Sequence, residues 1–223
     1  MSEWWTYSLS SFLLFSPATY YRLIELHNAQ WWPAQCAALA AGATIFSCAL
    51  RGGDARSRAA LLLLAACWAW VAWAYHLDRY ATINWAASYF GWAFAAQALL
   101  LAWTAARGTL RFASPPAGPA RAGLAMCIVS LAGWPLLAPL FGRGWSQAEV
   151  FGFAPDPTAL ATLGILLAAG RMRPALFVIP LLWCALSGAL LWAMRSPEAI
   201  AVPAAALAAI AVAAWRTIRE RRQ

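Results

Sequence analysis

Long apolar runs recur along this chain, and its arginines fall in the gaps between them, concentrated in every second gap. One set of gaps holds Arg51, Arg56 and Arg58, then Arg107, Arg111 and Arg121, then Arg171 and Arg173, then Arg216, Arg219, Arg221 and Arg222. The intervening gaps hold only Arg22, Arg79, Arg143 and Arg195. Cationic loops are hard to translocate, so this alternation is the positive-inside pattern of a polytopic membrane protein. The acidic residues lean the other way: Glu3, Glu25, Asp78, Glu149, Asp156 and Glu198 share the arginine-poor side, and only Asp54 and Glu220 share the rich one. The pattern predicts an N-terminus outside, a C-terminus in the cytoplasm, and a bacterial inner-membrane location.

A helix needs about 20 apolar residues to cross the hydrocarbon core. The runs that qualify are 31–50, 59–76, 84–106, 122–141, 154–170, 175–194 and 199–215. The fold class expected is therefore all-α, a transmembrane bundle of about seven spans. The apolar core of the fifth run covers only Thr158 to Gly170. Making that run re-entrant would move Arg216–Arg222 outside, against the charge rule, so seven spans are retained. Residues 1–30 form an outer-leaflet interfacial segment, 31–215 the transmembrane domain, and 216–223 a basic cytoplasmic tail. Within the first segment, Ser16-Pro17 reads as a helix cap followed by proline at the first helical position. Tyr20, Leu23, Ile24 and His27 then follow the stripe of an amphipathic helix, with Arg22 and Glu25 spaced to pair on its wetter face. Trp4, Trp5, Trp31 and Trp32 flank it, as interfacial anchors do. The first residues lack the basic region of a cleaved signal peptide and are expected to be retained. The one linker-like stretch is 108–120, which divides three spans from four.

With 63% hydrophobic and 11% charged residues among 223, the chain does not have the composition of a soluble domain. A net charge of +8 would suggest nucleic acid in a soluble protein. Here it is accounted for by loops facing an anionic leaflet, and no RNA- or DNA-binding motif accompanies it. The bilayer is the partner implied, together with other membrane subunits or a second copy of the chain. Cys36, Cys48, Cys67, Cys127 and Cys184 all lie inside apolar runs and none forms a CxxC pair, so they read as small hydrophobes. The chain contains no lysine, which excludes covalent retinal and any lysine nucleophile. Only His27 and His76 are available for haem, and nothing forms a metalloprotease helix, a nucleophile elbow or a phosphate loop. No catalytic residue, metal or cofactor is assigned.

Two polar clusters remain, both in arginine-poor connections. The first is His76-Leu77-Asp78-Arg79-Tyr80, with Thr82 and Asn84. It reads either as an ion-handling group at a cavity mouth or as interface anchoring. The second runs from Gly142 through Arg143 and Glu149 to Pro155-Asp156-Pro157-Thr158. Proline on both sides keeps Asp156 out of a regular helix interior, so the backbone breaks there and its freed carbonyls need partners. Asp156 then either caps the helix that follows or stands at the mouth of a site of the kind broken helices build in transporters. The topology suggests one shared site formed by Asp156, His76, Asp78, Arg79 and Asn84. Within the spans, Trp134-Pro135, Pro139 and Pro180 predict kinks, and Ser187-Gly188-Ala189 a close helix contact.

Several stretches resemble an uncharacterised group of bacterial multipass membrane proteins. They are Trp4-Trp5-x-Tyr7, Ser10-Ser11-Phe12-Leu13, Phe15-Ser16-Pro17, Tyr20-x-Arg22-Leu23, Asn28, Trp32-Pro33-x-Gln35, Phe151-Gly152-x-x-Pro155-Asp156-Pro157-Thr158 and Ile179-Pro180-Leu181-Leu182-Trp183. The resemblance spans the chain and implies no particular activity. In the group's pattern cysteine often stands between the two loop prolines, where this chain has Asp156. The expected function is to bind or pass a small solute or ion through an outward-facing polar cavity. The alternative is a non-catalytic accessory subunit of a membrane complex, with the Trp-rich N-terminus as its contact surface; an enzyme ranks third.

Overall fold

The computed structural model of the protein describes residues 15–112, 116 and 118–221. The Trp4-Trp5 flank, the Ser10–Leu13 motif, part of the 108–120 linker and Arg222 lie outside the described residues. The fold is all-helical among those described, with one isolated bridge between Phe112 and Ala169.

Helix α1 (Pro17–Gln30) starts where Ser16 and Pro17 place it: the Ser16 hydroxyl accepts from the Thr19 amide at 3.1 Å. It buries Tyr20, Leu23, Ile24 and His27, and Arg22 pairs with Glu25 at 2.7 Å on the other face. The stripe read from spacing is therefore the packed face.

Helix α2 covers Ala34–Arg51 and α3 covers Asp54–Trp70. The latter widens into a π-helical stretch, Val71–Arg79, and ends in a 3-10 turn, Tyr80–Thr82. Helix α4 spans Ala87–Arg107, closing on Gly108 in the left-handed conformation. Helix α5 (Pro119–Ile128) passes through a second π-helical stretch, Val129–Gly133, and a 3-10 turn, Trp134–Leu136, into α6 (Leu137–Leu140). After a loop come α7 (Pro155–Ala168), α8 (Pro174–Ala193) and α9 (Ala201–Arg221). The irregularity expected at Trp134-Pro135 is present, since proline cannot donate to the preceding turn.

Among the described residues, six continuous helical segments are long and apolar enough to cross a membrane: Ala34–Arg51, Asp54–Thr82, Ala87–Arg107, Pro119–Leu140, Pro174–Ala193 and Ala201–Arg219. The expected fifth span is not among them. Helix α7 has 14 residues, all buried, and at 1.5 Å per residue it measures about 21 Å, short of the roughly 30 Å hydrocarbon core. It is apolar all round because it has no outer face to keep polar or greasy: neighbouring helices cover every side. At Gly123 of α5 and Gly164 of α7 the two backbones touch, since a Cβ built on either glycine would overlap the other's carbonyl oxygen.

Short as it is, α7 connects the two ends of the bundle. It begins at the 141–154 loop and finishes at Gly170, whose amide donates to the Arg111 carbonyl at 2.7 Å. At that same end the Gly53 amide meets the Phe112 carbonyl, Arg173 Nη2 the Thr109 carbonyl, and Arg111 pairs with Asp54. Arg216 of α9 donates to the carbonyls of Leu167, Ala169 and Gly170, placing a cation on the negative end of α7. The arginine-rich gaps thus gather at one end. The arginine-poor ones meet at the other, where Asn28 Nδ2 donates to the Ser146 and Ala148 carbonyls and Arg143 pairs with Glu198.

Candidate functional site

The site is built around the start of α7. The chain is extended at Ala154, and Pro155 opens the helix, so Asp156 falls in its first turn. A carboxylate there is favoured by the helix dipole. Asp156 is 1% exposed, and both its oxygens are engaged: Trp183 Nε1 donates to Oδ1 at 2.7 Å and Ser187 Oγ to Oδ2 at 2.8 Å. Trp183 and Ser187 are four residues apart, which puts them on one face of α8. Both donors are neutral, so the charge is solvated by dipoles rather than by a cation.

Thr158 satisfies the broken backbone, its hydroxyl accepting from the Gly152 amide at 2.8 Å and donating to the Ala154 carbonyl at 2.7 Å. One turn on, Thr162 accepts from Trp68 Nε1 at 2.8 Å. These hydroxyls are spent on holding the helix start in place.

His76 packs against the same Trp183 indole. Its ring centroid is 5.0 Å from that ring, edge to face, and 4.5 Å from Phe94. It is wholly buried, and neither ring nitrogen has a hydrogen-bond partner. An unmade hydrogen bond on a buried polar group costs about 1–3 kcal/mol, so this is a residue whose environment withholds something it can use. The π-helical stretch Val71–Arg79 turns it inward, and such stretches recur at functional sites.

The five residues expected to converge therefore divide. Asp156 and His76 meet the same indole. Asp78 is exposed, Arg79 donates to Gln30 Oε1, and Asn84 Oδ1 accepts from the Ala86 amide at 3.0 Å, starting the turn into α4. Those three sit at the bundle end because the helix carrying His76 finishes there and the chain reverses.

Two further carboxyls lie between Asp156 and that end: Glu149, from the second polar cluster, and Glu198, which spacing did not single out. Glu149 is half-buried and accepts from Trp134 Nε1 at 2.9 Å. Burial, and after it the Asp156 carboxylate, push its carboxyl up to about 8, against the pull of the Trp134 N–H and Arg143. Beyond it, Glu198 is 5% exposed and pairs with Arg143 Nη2 at 2.6 Å. Tyr21 donates to Glu198 Oε1 at 2.9 Å and accepts from Ser196 at 2.7 Å, while the Arg143 guanidinium lies 4.3 Å over its ring. Asp156, Glu149 and Glu198 thus form a series of carboxyls running from the buried helix start to the arginine-poor end, with α1 strapped across it. His27, on the buried face of α1 against Tyr75 and Phe153, is held down to about 4, chiefly by burial and then by Arg79. Among the described residues, no group of three His, Cys, Asp or Glu is arranged to hold a metal ion.

The raised Glu149 carboxyl has a consequence for stability. The folded protein holds a proton that the unfolded chain releases near 4.5. Its contribution is complete below that value and is lost as pH rises towards about 8. Thermal unfolding in detergent is expected to show stability falling across this window, and Glu149→Gln to flatten the fall. A variant with the wild-type slope would assign the effect elsewhere.

No curated protein and no solved structure matches this chain. A family model does match, over residues 18–223, and the chain belongs to that family, the family of unknown function DUF6064.

Proposed function

We propose that the protein is an integral inner-membrane protein that binds and passes a small cation, the proton foremost, by way of Asp156 and Glu149. The observation that carries this reading is the Asp156 carboxylate, buried among apolar helices and held only by Trp183 and Ser187. An ionisable group at membrane depth is costly unless it is used, and a carboxyl with neutral donors can load and release a proton without breaking an ion pair. Glu149, raised towards neutrality, is the next acceptor on the way to the arginine-poor end. The arrangement supports an opening on that side, and the positive-inside rule makes it the outer one.

The decisive measurement is proton flux in proteoliposomes carrying a pH-sensitive dye under an imposed potential. Asp156→Asn keeps a side chain that fits between Trp183 and Ser187 but cannot titrate. It is expected to fold normally and to abolish flux. Full flux in that variant sinks the proposal; a silent wild type that purifies with fixed partner subunits favours the accessory-subunit reading instead. Orientation has its own check, because reporter fusions should place the N-terminus in the periplasm and residue 223 in the cytoplasm. The reverse signal at either end would overturn the topology.

A further inference from the structure

At the arginine-poor end a cleft of 430 Å³ opens between α1 and the turn that closes the α3 segment. Its rim carries Arg22 from one side and Arg79 and Thr82 from the other; its floor is Leu23, Leu26 and Ile83. We propose that this cleft binds a single phospholipid of the adjoining leaflet, with the phosphate between the two guanidinium groups and an acyl chain along the leucines. The inference rests on the membrane reading of the chain and is independent of ion passage.

The two walls supply the donors. A guanidinium offers five N–H groups in a planar fork that matches a phosphate. Arg22 spends one edge on Glu25, and its side chain is still 60% exposed. Arg79 contacts Gln30 through Nη2 and lines the cleft from the facing wall. The Thr82 hydroxyl already donates to the Arg79 carbonyl, so it shapes the rim and leaves recognition to the arginines.

Charge argues for a lipid over a soluble anion. Arg22 and Arg79 are offset by their neighbours Glu25 and Asp78, so the rim has no net charge to draw a free phosphate from solution. A phosphodiester can still be gripped at short range if another force brings it there. The floor provides that force: Leu26 is 41% exposed beside buried Leu23, and covering apolar area yields about 25 cal/mol per Å². A tethered pair, one phosphate and one chain, is the chemistry that satisfies both halves of the cleft. Interfacial amphipathic helices join the same two contributions, apolar burial and attraction to lipid charge.

The test uses the full chain in detergent, with binding followed by native mass spectrometry and by the shift in thermal unfolding. The probes are phosphatidylglycerol, diacylglycerol, which lacks the phosphate, and glycerol phosphate, which lacks the chains. Phosphatidylglycerol alone is expected to bind one-to-one and raise the unfolding temperature. Arg22→Gln with Arg79→Gln should weaken it about tenfold or more, from the loss of charge-assisted hydrogen bonds. Leu26→Trp, which fills the floor without changing charge, should weaken it too, whereas Arg195→Gln, a charge outside the cleft, should not. Equal binding of diacylglycerol would reduce the cleft to a greasy groove and overturn the proposal. So would binding of glycerol phosphate alone, which describes a soluble-anion site, or wild-type affinity in both the double variant and Leu26→Trp. If the double variant does not fold, Leu26→Trp and the two truncated probes still decide.

Discussion

Gly164→Val is expected to leave no folded bundle. The position has no room in a sense different from an ordinary tight core. A Cβ at Gly164 would overlap the Gly123 carbonyl oxygen, and one at Gly123 would overlap the Gly164 carbonyl, so the obstruction is backbone on both sides. Overpacking by a methylene or two costs about 1–3 kcal/mol where side chains can shift. Here only whole helices can move, and α7 is enclosed along its full length, so the cost should exceed that range. Gly123→Val should behave alike, because the contact is reciprocal. Gly133→Ala is the control: its Cβ would meet Val129 Cγ1 at 3.6 Å, an ordinary contact. The readout is the monodisperse yield in mild detergent and the unfolding temperature of what survives. A Gly164→Val protein as stable as Gly133→Ala would mean that α5 and α7 do not cross where they are described.

That crossing also marks the limit of what could be read from the sequence. Arginine spacing sorted the connections correctly into two ends, because the charge pattern is a property of each gap taken alone. The start and buried face of α1 were equally legible, since Ser16, Pro17 and the Tyr20–His27 stripe act within one helix. What could not be read was depth. Run 154–170 looked like a weak span, yet α7 is a short helix in the middle of the bundle; length and hydropathy do not distinguish a helix facing lipid from one facing other helices. Lateral grouping was illegible for a related reason. Asp156 and His76 stood out because polar groups in apolar stretches are rare. Their common neighbour Trp183 was quoted only within the Ile179–Trp183 stretch of the resemblance, with nothing linking it to Asp156, although its four-residue spacing from Ser187 was visible. Asp78, Arg79 and Asn84 were grouped with them on topology, which fixes the side of the membrane and leaves lateral position and depth open. The pairing of Arg143 was not legible either, since its partner Glu198 stands 55 residues away, beyond any local signal.

Arg143→Gln should be among the most damaging polar substitutions in the chain. The Arg143 and Glu198 side chains are 13% and 6% exposed, which makes this a buried pair rather than a surface one. Removing one partner strands the other charge, at a cost of about 3–5 kcal/mol. Glu198→Gln is expected to cost a similar amount by stranding the guanidinium, although Tyr21 can still donate to the remaining oxygen. The pair's net worth is a separate quantity, because bringing both charges out of water has already offset much of their attraction. Arg143→Met with Glu198→Leu should therefore recover most of the loss, giving a large favourable coupling in a double-mutant cycle. Recovery of stability should not restore the whole strap, which loses the Tyr21–Glu198 hydrogen bond and the guanidinium over the tyrosine ring. On the proposed proton path, the double variant is accordingly expected to unfold near the wild-type temperature yet pass protons faster in proteoliposomes, since α1 is then held at that end by fewer contacts, with the Tyr21–Ser196 and Asn28 bonds remaining. Single variants with wild-type stability would show the pair to be solvent-screened, and a stable double variant with unaltered flux would remove the strap from the path.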